Sequence, residues 1–285
     1  MSQGELHPRS RNLARSEAMG VRLPRRIVCM TEETTETLYL LGEEHRIVGI
    51  SGFTVRPPRA RKEKPKVSAF TSAKIEKILA LEPDLVFGFS DLQADIAAEL
   101  VRRGVNVCIF NQRSVEQILS MIATVGAMVG AHEKTAALIE RLEDGIDAVQ
   151  RQARALPRRP RVYFEEWDNP QISGIRWVSE LIEIAGGIDC FPELAQHPMA
   201  RNRVIVDPLE VPRRGPDIII GSWCGKKFRP EQVAGRPGWQ DVPAVRHGHL
   251  YEIKSADILQ PGPACLTDGL RQLHAIVRQW AGTVK

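Results

Sequence analysis

The chain has no apolar run approaching the ~18–20 residues that cross a bilayer. Its N-terminus also lacks the apolar core of a secretory signal. As written, the chain is expected in the cytoplasm and without a membrane span. Its five cysteines, Cys29, Cys108, Cys190, Cys224 and Cys265, form no CxxC pair and no short framework. An odd number of widely spaced thiols fits a reducing compartment rather than a disulfide scaffold. Cys29 and Cys108 sit in strand-like apolar runs and read as buried free thiols. Most of the chain also lacks a net charge. Residues 1–26 hold six Arg against two Glu, and the remainder carries 33 basic and 33 acidic residues, so the whole +4 sits in that arm. A neutral body argues against a nucleic-acid face, and residues 1–24 read as a solvated, disordered basic arm.

What is present is a motif written twice. Glu76-Lys-Ile-Leu-Ala-Leu-Glu-Pro-Asp84 runs into Leu85-Val-Phe-Gly-Phe89, and Glu210-Val-Pro-Arg-Arg-Gly-Pro-Asp217 runs into Ile218-Ile-Ile-Gly-Ser222. Each is a Glu on a short helix, a Pro-Asp turn, and an apolar run suited to a buried parallel strand. Between them, Leu138, Leu142, Ile146, Val149, Ala153 and Leu156 recur at helical spacing, one stripe on a long helix ended by Pro157 and Pro160. Strands are expected at 26–30, 47–50, 85–89, 105–110, 161–164, 218–220 and 250–253. Helices are expected from Thr31 to Leu41, with Glu32 and Glu33 favouring the helix dipole, and at 75–81, 91–103, 114–129, 177–185 and up to about Trp280. This β-α alternation implies two α/β lobes with mainly parallel sheets, 25–132 and 158–285, joined by a helix over 133–157. A cleft between such lobes suits a small molecule.

Several blocks, among them TEETTETLYLLG, KIEKILALEPDLVFG, RWVSELIEIAGGIDCF, PDIIIGSWCG, RPGWQDVPAVRHGHLYEI and QPGPACLTDGL, together resemble the BtuF-like, cobalamin-binding branch of the helical-backbone metal receptors over residues 25–282. These are the substrate-binding proteins of ABC importers. The resemblance implies two Rossmann-like lobes on one long helix, and a corrinoid held between them without catalysis or a catalytic cofactor. It also implies a monomer, a periplasmic home if a leader precedes this chain, and an ABC permease dimer as partner.

A corrin is a broad apolar disc fringed with amides, so it needs flat apolar faces and a few polar groups at its edge. Candidates on segments after strands are Phe53, Phe70 and Phe89 in the first lobe, and Trp167, Trp177 and Trp223 in the second. The resemblance marks Phe53, Phe70 and Phe89 as ligand contacts. The chain departs from it at Val204, where the B12 binder has Trp, and at Gln260, where it has Arg; Asp257 matches a neighbouring Asp loosely. By the resemblance, Glu76 and Glu210 occupy the positions that meet permease arginines; a buried or internally paired glutamate would defeat that role, since a carboxylate held inside the fold cannot orient a partner.

Two readings compete with corrinoid binding. One keeps the fold and changes the ligand to haem, a siderophore or another metal chelate. The other is a cytosolic α/β enzyme using Cys224 or the pair His247 and His249. The Arg56–Lys66 cluster reads as a solvated loop, or as a contact for carboxamides, phosphate or an acidic chelate.

Overall fold

The computed structural model describes residues 22–283, so most of the basic arm lies outside the described residues. In the first half, β1 (Ile27–Cys29), β2 (Ile47–Ser51), β3 (Lys66–Ser68), β4 (Leu85–Phe89) and β5 (Val107–Phe110) form an all-parallel sheet in the order β3-β2-β1-β4-β5. Val28, Val86 and Phe87 are completely buried, as strands covered on both faces by helices must be. The second half holds β6 (Arg161–Asp168), β7 (Gln171–Ser173), β8 (Ile188–Asp189), β9 (Ile218–Gly221) and β10 (Leu250–Glu252). Their order is β10-β9-β6-β7, with β8 on β6 and β7 antiparallel to β6.

The joining helix runs His132–Arg154 and buries Leu138, Leu142, Val149 and Ala153, most of the stripe read from the sequence. Its 23 residues span about 34 Å at 1.5 Å each. It packs on the preceding helix, Val115–Met128, which starts where the Ser114 hydroxyl accepts the Gln117 N–H at 3.2 Å. The crossing of these two helices is tight: a Cβ on Gly126 would lie 1.9 Å from Thr135 Oγ1. The last helix, Leu270–Thr283, also packs on the backbone helix. One apolar core runs through both lobes, from Ile27 and Phe87 to Phe164, Ile220 and Leu273.

The structure corrects the sequence reading in three places. The loop after β2 contains a helical turn at Ala60–Glu63 and then β3, a strand the sequence reading did not assign. Strand β6 is eight residues long rather than four, so Trp167 lies within it. Glu32 and Glu33 do lie in the first turn of their helix, but they and Glu36 are buried, which the sequence reading did not anticipate.

Candidate functional site

All strands but β7 run parallel to their neighbours, so each sheet delivers its loops to one end, where ligands bind in open α/β sheets. Those loops meet. Arg56, after β2, donates to Glu36 Oε1 at 3.0 Å on its own lobe, and to Asp257 Oδ1 at 3.0 Å and Asp268 Oδ2 at 2.6 Å on the other. Gln112, after β5, donates to the Pro261 carbonyl at 3.0 Å, and the Ala264 N–H donates to Glu36 Oε2 at 3.1 Å. Gly262 is required here, because a Cβ would come within 2.5 Å of Glu33 Cβ.

Around this seam lies an unusual set of buried polar atoms with no hydrogen-bond partner among the described residues: Glu32 Oε1, Thr54 Oγ1, Gln112 Oε1, Arg113 Nε, Arg203 Nε and Ser222 Oγ. Buried polar groups are normally paired, and these follow β1, β2, β5 and β9 or, for Arg203, brace the end of β6 through a bidentate pair with Glu166 at 2.6 and 3.2 Å. Arg113 lies over the Phe89 ring at 4.5 Å. Burial lowers the Arg113 pKa and the positive charge of Arg203 lowers it further, so the two guanidiniums feel each other across the lobes. Below them, burial pushes the Glu32 and Glu33 carboxyls up to about 7, and raises Glu36 as well despite its pairing with Arg56.

The six aromatic candidates divide. Phe53 is 62% exposed, Phe70 is 37% exposed and Trp167 is partly buried, with Lys226 Nζ 4.8 Å above its ring. These three present apolar faces. Phe89 is buried under Arg113. Trp177 and Trp223 are core residues: Trp177 Nε1 donates to the Ile258 carbonyl at 3.0 Å, and Trp223 Nε1 donates to Glu165 Oε1 at 3.0 Å. A helix-opening Trp and a Trp after a strand look alike in sequence whether they face ligand or core. Val204 makes an isolated bridge with Ile172. Asp257 is committed to Arg56 and to Gln272 at 3.1 Å, and Gln260 is half-buried with its carbonyl accepting the Gly262 N–H at 2.8 Å.

Sequence reasoning missed Arg113, Arg203 and the Glu32–Glu33–Glu36 face. Three glutamates within five positions of one helix were a usable signal, because residues at spacings of three and four share a face. Nothing in the sequence distinguished Arg113 or Arg203 from the other arginines. Arg56 proves to be an inter-lobe bridge rather than part of a solvated loop.

Glu76 is exposed and pairs with Arg103 at 3.0 Å, and Glu210 pairs with Arg213 at 2.8 Å and Arg214 at 2.9 Å. The condition that neither be internally paired is therefore not met. The catalytic alternatives lack activation. Burial and the nearby Glu166 charge raise the Cys224 pKa, the opposite of what a nucleophilic thiolate needs. Burial lowers His249, whose ring lies 6.2 Å from that of His247. Among the described residues no group of three His, Cys, Asp or Glu could hold a metal, and no helix is long and apolar enough to cross a membrane.

Comparison with known proteins agrees with this geometry. The family described as periplasmic binding protein matches residues 27–256. An ABC transporter substrate-binding lipoprotein of Bacillus subtilis is 23% identical, covering 88% of this chain and 79% of the relative. A cobalamin-binding protein of Halobacterium salinarum is also 23% identical, covering 88% and 69%. Among solved structures, the periplasmic haem-binding protein RhuT from Roseiflexus superposes with a TM-score of 0.77 at 24% identity, covering 90% of this chain and 99% of that one. That likeness establishes the two-lobed fold.

Proposed function

Because the chain belongs to the periplasmic binding protein family, a non-catalytic solute-binding family, we propose that it holds a cobalamin-type corrinoid between its lobes as the binding component of an ABC importer. The observation that carries the choice of ligand is the mixture of unpartnered atoms at the seam. Arg113 Nε and Arg203 Nε are donors; Glu32 Oε1 and Gln112 Oε1 are acceptors. A carboxamide fringe supplies both kinds of partner, and pairing such groups recovers the ~1–3 kcal/mol that each costs when left unmade. Phe53, Phe70 and Trp167 supply the apolar faces for the disc. The cobalamin-binding relative from Halobacterium supports the same choice.

A second reading keeps the site and exchanges the ligand for haem or a siderophore. Arg113 and Arg203, one from each lobe, favour it, because guanidiniums suit the carboxylates or net charge of such a chelate. Titrating the protein with cyanocobalamin, haemin and a ferric catecholate siderophore separates the two. Absorbance and melting temperature should respond to cyanocobalamin most strongly. A response to haemin or the siderophore alone overturns the corrinoid reading and leaves the fold assignment untouched.

We also place Glu76 and Glu210 as permease-docking residues. Their internal partners are surface arginines, and such exposed pairs are worth only ~0–1 kcal/mol, so a permease arginine can displace them at little cost. Glu76→Ala with Glu210→Ala should leave ligand affinity unchanged and weaken association with a permease in a reconstituted assay. Unchanged association would remove the docking role.

A further inference from the structure

A cavity of about 480 Å3 lies away from the strand ends, between the backbone helix His132–Arg154 and the last helix Leu270–Thr283. Its volume is within the range of small-molecule sites. The cavity exists because small residues face each other. Gly145 and Ala148 come from one helix and Ala275 from the other, and a Cβ on Gly145 would meet no atom within 4 Å. Leu142 and Leu266 give it an apolar floor.

His274 is built into its wall. The residue is 5% exposed, and its Nδ1 lies 2.9 Å from the Ala185 carbonyl oxygen, which makes Nδ1 the donor in that bond. Nε2 has no partner among the described residues. A fixed, buried ring nitrogen without a partner is costly unless something completes it. Arg141 and Arg278 stand at the rim, both exposed, with no ion pair among the described residues.

We propose that this groove is a second binding site, independent of the seam between the lobes, for a small amphiphile with a single carboxylate. The alkyl or aryl body covers the Leu142 and Leu266 floor, and the headgroup reaches Arg141 and Arg278. Long side chains at Gly145 or Ala275 would close the groove as ordinary helix packing does. A neutral amphiphile satisfies the floor and leaves the two guanidiniums unused.

Calorimetric titration of the full chain with decanoate, and with decanol as the uncharged control, tests this. Decanoate should bind the wild type, and decanol at least about tenfold more weakly. Gly145→Leu fills the groove from an open helix position and improves helix propensity, so it should fold and lose decanoate binding. Arg141→Glu with Arg278→Glu should weaken decanoate about tenfold, while Phe53→Ala with Trp167→Ala should leave it unchanged. The site is overturned if decanoate does not bind, if decanol binds as well, or if Gly145→Leu binds decanoate like the wild type. Loss of decanoate in Phe53→Ala/Trp167→Ala alone would also overturn it, by placing the ligand between the lobes.

Discussion

At the scale of single residues, the buried carboxyls set the pH response. Glu33 is 1% exposed, and its folded pKa is about 7 against an ordinary 4.5. A raised carboxyl binds its proton more tightly when folded. Its stabilising contribution is therefore full below about pH 4.5 and is lost as pH rises through 7. Glu32 acts in the same window. The free protein should melt at a higher temperature at pH 5.5 than at pH 7.5. Glu33→Gln should stabilise it at pH 7.5 by about 1–3 kcal/mol and flatten this slope. Denaturant melts of both proteins across that range check the sign, and a wild type more stable at pH 7.5 would contradict it. Glu165 is a buried carboxylate of another kind, held by partners. It is wholly buried but satisfied, accepting from Tyr163 Oη at 2.9 Å, Trp223 Nε1 at 3.0 Å and Arg236 Nη1 at 2.6 Å. Glu165→Ala should cost about 3–5 kcal/mol in urea melts, because Arg236 is left without its counter-charge.

At the scale of elements, periodicity carried the reading where burial is one-sided or complete. Strand β4 matches its sequence-derived bounds at both ends, because Leu85–Phe89 is an apolar run flanked by a Pro-Asp turn and by Ser90. The backbone helix was legible from its stripe and its two terminating prolines. Strand β3 was not: Lys66-Val67-Ser68 is an edge strand with one buried residue, so it gives no alternation to read. The exposure of the candidate aromatics was not legible. Phe53, Phe70 and Trp167 present usable faces, whereas Trp177 and Trp223 stabilise the second lobe. The seam polar groups were illegible because they come together only through contacts between lobes, such as Arg56 with Asp257, 201 residues away. At the crossing of the helices, Gly126→Ala should cost about 1–3 kcal/mol through overpacking against Thr135. A melt unchanged from wild type would show that the two helices can slide apart freely.

At the scale of the molecule, one core passes through both lobes and Arg56 ties them at the strand ends. Two lobes joined by one continuous helix have few positions that can absorb a hinge rotation. Scattering profiles of the free and ligand-bound protein should superpose, and a lobe rotation of tens of degrees would contradict this. Arg56→Met removes the tie and should lower stability by about 1–3 kcal/mol, the size expected for a partly exposed network rather than a fully buried pair. It should also broaden the scattering-derived distance distribution.

On the proposed function, a corrinoid would lie between the lobes against Phe53 and Trp167. Equilibrium dialysis with cyanocobalamin, comparing the wild type with Phe53→Ala/Trp167→Ala, tests it most directly. The wild type should bind one ligand per chain. Affinity should fall by roughly a hundredfold in the double variant, as the loss of two aromatic faces at ~1.5 kcal/mol each requires. Its melting temperature should stay unchanged without ligand. Cyanocobalamin that fails to bind, or that binds both proteins equally, would contradict it.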